Sequence, residues 1–174
     1  TILVGKTGSG KTTLMFNIIG LINEFNPGEV FFIHEGGKWE TLLLSQYQRL
    51  RLFVPKGAKI LYEEDSEGIN FKNIEGPIEY DKDDVQRTLI EQASMRDCLN
   101  IVCHNAFYNE PMERGKFWSQ FVKGLLLAKS RGKIKHPVTF AYDEINKICS
   151  SKSYRTYEGQ GMIAAYMYEN VGDY

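Results

Sequence analysis

The chain has 174 residues, a formal net charge of −1 and 43% hydrophobic residues, so it is long enough for one domain with a buried core. The near-zero net charge excludes a uniformly basic surface for nucleic acid, and no apolar run is long enough to cross a membrane. The three cysteines show no paired CxxC spacing, which argues against a zinc site and favours reduced thiols in a cytosol-like compartment.

The first predicted elements are a buried strand, a glycine-rich loop and a helix. Residues 2–4 form a branched apolar run, typical of a strand buried on both faces. The loop then follows the pattern G-x-x-x-x-G-K-T. Its glycines let backbone N–H groups approach phosphate oxygens, its lysine can reach the outer phosphates, and its threonine hydroxyl can bind Mg²⁺. An ordinary turn would not need every fixed position, so we predict a nucleotide-binding loop formed by Gly5, Lys6, Thr7, Gly8, Ser9, Gly10, Lys11, Thr12 and Thr13.

Helical and strand patterns then alternate. Apolar residues at helical spacing predict a helix over residues 14–25, which Asn26-Pro27-Gly28 ends. Residues 30–33 read as a second buried strand, and residues 39–50 as another amphipathic helix. Residues 51–84 mix glycine and proline with short apolar pairs. We expect this region to be an inserted loop or hairpin, with a strand near residues 59–62.

The second half repeats the alternation. We predict a helix over residues 85–95, a third buried strand over residues 99–103 and a long amphipathic helix over residues 117–128. Two further apolar strands are expected at residues 138–142 and 162–166. Strands that alternate with helices favour an α/β fold with a mainly parallel sheet and helices on both faces, which makes three layers.

Asp143 and Glu144 are the candidates for the second half of the nucleotide site, because they follow an apolar strand where α/β folds place ligands. Asp143 would hold Mg²⁺ together with Thr12, and Glu144 would act as the general base that orients water. A helix-capping Asp with an exposed Glu is the alternative, and the upstream loop favours the Mg²⁺ and general-base roles over it. No NKxD motif for guanine is present, since Asn146-Lys147 is followed by Ile148-Cys149. We therefore predict a Mg²⁺-dependent ATPase whose ligands are ATP and Mg²⁺.

Several segments resemble the FtsK–HerA superfamily of P-loop ATPases, which belongs to the RecA-like, catalytic-glutamate (ASCE) class. They are LVGKTGSGKTT, FFIHEGGKWE, the NIVCHN strand, the FWSQFVKGLLLAKSRGK helix, HPVTFAYDEIN and RTYEGQGMIAAY. The resemblance spans most of the chain, and its two Walker motifs are the specific part. Because the chain begins inside its first predicted strand without an initiator Met, we expect residues 1–174 to be one P-loop ATPase domain from a longer protein.

The resemblance implies a motor that translocates double-stranded DNA, and the compact size is most similar to viral and phage genome-packaging ATPases. It implies a homo-oligomeric ring, a pentamer or hexamer, with a capsid or portal protein as a further partner. The expected location is the host cytoplasm or the virion. Arg155 is the candidate finger that completes a neighbouring subunit's site, with Arg114 and Arg131 as rivals. A surface arginine is the alternative.

Two other functions fit the same residues. An ATPase of this fold can move or assemble protein, as in conjugation, secretion or phage assembly, and a binding module can use nucleotide as a slow switch. Glu144 argues against the switch, whereas stimulation by duplex DNA would separate the DNA motor from the protein motor. The expected DNA contacts are two basic loops, residues 129–136 and 147–155, each of which has a plain solvated loop as its alternative.

Overall fold

The computed structural model describes residues 8–26, 30–34, 39–58, 67–81, 84, 89–91, 98–103 and 111–142. Within these residues, five strands and two long helices form the framework. The strands are β1 (Val30–His34), β2 (Leu50–Pro55), β3 (Ile74–Tyr80), β4 (Leu99–Cys103) and β5 (Thr139–Tyr142). The helices are α1 (Lys11–Phe25) and α2 (Pro111–Ser130). The strands predicted at residues 2–4 and 162–166 and most of the helix predicted at 85–95 lie outside the described residues.

The strands form one sheet in the order β3-β2-β4-β1-β5, and every neighbouring pair is parallel. The prediction of an α/β fold with a parallel sheet is therefore confirmed. Because all five strands point the same way, their last residues share one border of the sheet, called the carboxyl edge below. Their first residues share the opposite border, called the amino edge.

The two faces of the sheet are covered by different helices. Side chains alternate across a strand, so Leu52 and Val54 of β2 pack with Ile19 of α1 while Phe53 packs into the core beneath α2. The α2 side holds a chain of aromatic contacts in which Phe117 lies between Tyr80 and Phe121, and Phe121 meets Phe140 edge-on. These contacts join β3, α2 and β5 into one core.

The expectation that residues 51–84 form an inserted loop or hairpin is wrong for the described residues of this region, and the strand predicted near residues 59–62 lies outside them. Most of β2 and all of β3 come from this region, and they are adjacent parallel strands of the main sheet. The sequence pattern does not indicate β2 because its second residue is the charged Arg51. In the structure Arg51 is 1% exposed and forms an ion pair with Glu75 of β3 at 3.0 Å. The pattern does not indicate β3 because a bulge interrupts its alternation. At the bulge Gly76 adopts a φ of 118°, a conformation that residues other than glycine rarely adopt.

Two helical predictions are refined. The segment expected to be a helix over residues 39–50 is a 3-10 helix, Trp39–Gln46, and strand β2 already begins at Leu50. In α1, only part of the predicted apolar stripe is buried. Ile19 is 1% exposed, while the other flank of the helix is open to solvent over Leu14, Ile18, Leu21 and Phe25.

Candidate nucleotide-binding site

Two glycines at the described end of the glycine-rich loop have a left-handed backbone conformation. Gly8 and Gly10 have φ values of 81° and 78°, in the left-handed region that favours glycine. A Cβ added at either position would meet no atom within 4 Å, so the space beside the loop is open. These glycines are therefore needed for backbone conformation, and the open side leaves room for a ligand to approach the main chain.

The loop leads directly into the N-terminus of α1. Gly10 is the N-cap residue, and its carbonyl accepts the first helical hydrogen bond from Leu14 N–H at 2.9 Å. The first N–H groups of a helix lack partners inside the helix. The N-cap Gly10 has no side chain to cap them, and no acidic residue lies in the first turn of α1. Together with the positive end of the helix dipole, this arrangement suits a phosphate group.

The predicted cation and hydroxyl ligands lie in the same turn. Lys11 is half-buried, and its Nζ donates to Ser9 Oγ at 3.5 Å, which keeps the ammonium beside the loop. Thr12 is half-buried and Thr13 is exposed. The donor set of this turn, an ammonium, hydroxyls and uncapped N–H groups, fits the phosphates and Mg²⁺ of ATP.

A polar contact fixes the direction of α1 relative to the sheet. Asn23 Nδ2 donates to Gln48 Oε1 at 2.8 Å, and Gln48 lies two residues before the first residue of β2. The C-terminal half of α1 is therefore at the amino edge. Since α1 has 15 residues and packs on the sheet, its N-terminus, with Lys11, points toward the carboxyl edge.

The carboxyl edge is also where β5 leads into the predicted catalytic carboxylates. β5 lies beside β1 with Ile33 level with Tyr142, and Asp143 is the next residue along the chain. On the other side of β1, His34 is level with Cys103 of β4. The ends of β4, β1 and β5 thus lie side by side, at the border of the sheet toward which Lys11 points.

The residues that support this edge were not predicted from the sequence. Tyr80 is fully buried, and its hydroxyl donates to the Cys103 carbonyl oxygen at 2.8 Å, which ties the end of β4 to β3. Burial also raises the pKa of the Cys103 thiol to about 12, so this thiol is neutral at physiological pH. Within the described part of the chain, neither Cys98 nor Cys103 forms a disulfide. No local pattern signals the Tyr80 contact, because it depends on strand pairing over a long range.

Several predicted site residues lie outside the described part of the chain. They are Gly5, Lys6, Thr7, Asp143, Glu144 and Arg155, together with the second basic loop, residues 147–155. The described part of the site is the turn at Gly8 and Gly10 with Lys11 and Thr12, at the end of α1 that points toward the edge where β5 ends before Asp143.

A separate groove of about 750 Å³ lies along the other half of α1. Its walls include Gly20 and Glu24 of the helix and Tyr47, Gln48 and Arg49 before β2. This position is near the amino edge, so the groove is not the space beside Lys11.

No protein-family model, curated protein or solved structure matches this chain. Among the described residues, none of the helices is both long and apolar enough to cross a membrane.

Proposed function

We propose that this chain is a Mg²⁺-dependent ATPase with a three-layer P-loop fold, and that it drives translocation of double-stranded DNA during viral genome packaging. One observation carries the ATPase proposal. The left-handed turn at Gly8 and Gly10 opens into the uncapped N-terminus of α1, which points toward the edge where β5 leads to Asp143 and Glu144. The DNA substrate and the packaging role rest on the resemblance to the FtsK–HerA superfamily.

The residues of the loop and of the strand end have separate roles in this proposal. Backbone N–H groups of the loop and of the first turn of α1 bind phosphate oxygens, and the Lys11 ammonium neutralises the outer phosphates. Thr12 and Asp143 would hold Mg²⁺, which neutralises charge that develops on the phosphates. Glu144 orients a water molecule and accepts its proton at the carboxylate.

The assembly is proposed to be a homo-oligomeric ring, a pentamer or hexamer, in which Arg155 of one subunit reaches the ATP site of the next. A capsid or portal protein is the further partner, and the site of action is the host cytoplasm or the virion.

The decisive experiment measures ATP affinity and ATP turnover for the parent and for Lys11→Ala, each with and without duplex DNA. We expect Lys11→Ala to lose ATP binding, because the variant lacks the cation nearest the outer phosphates. Lys72→Ala, which removes an exposed cation from the short helix Phe71–Asn73, is the matched control. If Lys11→Ala bound ATP as tightly as the parent, the assignment of the loop would be wrong.

The same experiment tests the substrate. We expect duplex DNA to raise turnover of the parent. If ATP turnover depends on Lys11 but does not respond to DNA, the ATPase proposal stands. The DNA motor is then replaced by the alternative, an ATPase that moves protein.

A further inference from the structure

The turn that follows α2 concentrates positive charge on a nearly neutral molecule. We call residues 129–136 the basic turn. Its Arg131, Lys133 and Lys135 are exposed. The chain contains no aspartate or glutamate from Arg114 to Tyr142, although it has 22 acidic residues in all. The basic turn therefore lies within a long stretch that carries only positive formal charge.

These cations are not used to close the end of α2. Lys133 N–H donates to the Ala128 carbonyl and Gly132 N–H to the Lys129 carbonyl, both at 2.9 Å. Gly132 has a φ of 68°, and the pattern is a Schellman motif, in which backbone N–H groups satisfy the last helical carbonyls. Ser130 Oγ donates to the Leu127 carbonyl at 2.9 Å. The simple explanation, that the basic side chains cap the helix, therefore does not account for Arg131, Lys133 and Lys135.

The turn is also held in place. Ile134 is 3% exposed and packs in the core beneath α2, between the two exposed lysines. Lys129 Nζ donates to the His136 carbonyl at 2.9 Å and closes the turn on itself. Within the described part of the chain, no ion pair joins Arg131, Lys133 or Lys135 to a carboxylate. The three cations are thus displayed outward from a fixed backbone.

We infer that the basic turn binds the phosphate backbone of duplex DNA, and that it does so at the amino edge of the sheet, opposite the ATP site. Exposed lysine and arginine side chains without acidic neighbours suit phosphates, and such binding releases counterions and ignores base sequence. The choice of duplex DNA rests on the proposed function. β5 begins three residues after His136 and ends one residue before Asp143. A single strand of four residues, roughly 13 Å long, therefore joins the two sites.

The test is the salt dependence of DNA binding, measured without nucleotide by fluorescence anisotropy of a labelled duplex. The double variant Lys133→Gln/Lys135→Gln is compared with Lys56→Gln/Lys72→Gln, which removes the same charge from exposed positions next to β2 and β3. Each lost phosphate contact lowers the slope of log K against log salt by about 0.9, so the first variant should lose about two units of slope. The second should keep the parent slope.

A charge-conserving variant and two other anionic ligands complete the experiment. Lys133→Arg/Lys135→Arg keeps the charge and should bind duplex DNA like the parent. Equal slopes for the two glutamine variants would overturn the inference, and so would a parent that does not bind the duplex. It would also be overturned if Lys133→Gln/Lys135→Gln lost binding to polyglutamate or to phosphatidylserine vesicles but not to DNA. Because no ATP is present, failure here is distinct from failure of the ATPase proposal, which Lys11→Ala decides.

Discussion

A glycine with a left-handed backbone conformation stands at a helix end near each edge of the sheet, at the start of α1 and at the end of α2. At the start of α1, the left-handed Gly10 opens a helix whose first N–H groups have no side-chain cap. At the end of α2, the left-handed Gly132 closes a helix whose last carbonyls are satisfied by backbone N–H groups. The first arrangement offers main-chain donors to an anion, whereas the second leaves basic side chains available.

Under our two proposals, this difference gives one fold two anion sites of different character. A helix N-terminus attracts phosphate through N–H groups and its dipole, at a fixed point and at short range. A closed C-terminus has the unfavourable end of the dipole, so only long, exposed cations can bind phosphate there, and their binding is sensitive to salt. We therefore expect changes at the carboxyl edge to affect ATP, and changes at the amino edge to affect DNA.

The largest effect is expected from Arg155. If it completes the site of a neighbouring subunit, Arg155→Ala should lower turnover by about 10³-fold, because a finger in trans stabilises the transition-state charge. Mixing Arg155→Ala with Lys11→Ala subunits should restore activity at interfaces that combine an intact loop with an intact arginine. The readout is steady-state ATPase activity of the mixed rings. Absence of recovery, when both variants assemble, would argue against the role in trans, and Arg114→Ala is the matched control.

The next effect concerns the general base. Glu144→Gln keeps the shape of the side chain but cannot accept a proton, so turnover should fall by about 10²-fold or more while ATP still binds. Asp143→Asn should instead raise the Mg²⁺ concentration needed for activity. Equilibrium ATP binding and single-turnover hydrolysis separate the two variants. Hydrolysis at the parent rate in Glu144→Gln would place the base elsewhere at the carboxyl edge.

A matched pair of glycine variants tests the comparison directly. Gly10→Ala and Gly132→Ala each place a Cβ on a left-handed residue, and neither Cβ would meet an atom within 4 Å. Each should therefore lower the free energy of unfolding by about 1–2 kcal/mol through backbone strain alone. Urea titration measures this common effect. Only Gly10→Ala should weaken ATP binding and only Gly132→Ala should weaken DNA binding, so a reversed or shared pattern would break the comparison.

The smallest effect is a dependence of stability on pH at the carboxyl edge. The pKa of the Cys103 thiol is about 12 in the folded chain against an ordinary value of 9.0, because burial disfavours the thiolate. Its contribution to stability is fully present below pH 9 and is lost as the pH rises toward 12. Between pH 8 and pH 9.5 the loss should be about 1 kcal/mol. Urea titrations at both pH values should show this loss in the parent and not in Cys103→Ala. An equal loss in the variant would assign it to other groups.

The local elements could be predicted from the sequence because their signals are contained in a few neighbouring residues. The left-handed turn at Gly8 and Gly10 lies where the glycine spacing predicted a loop, and the apolar spacing after it predicted α1. The branched apolar runs likewise predicted β1, β4 and β5, and the long stripe beginning at Phe117 predicted α2. Burial on both faces makes such strands continuously apolar, which is a strong local signal.

The tertiary structure alone decided which segments meet. Strands β2 and β3 belong to the sheet although Arg51 and the Gly76 bulge interrupt their apolar patterns. The positive charge of the buried Arg51 is balanced by Glu75, which lies 24 residues later in the chain. The order of the strands and the direction of α1, which Asn23 and Gln48 reveal, depend on pairings between distant residues. A one-dimensional pattern determines which faces of an element are apolar. The edge of the sheet at which each motif lies is set by long-range packing and hydrogen bonding.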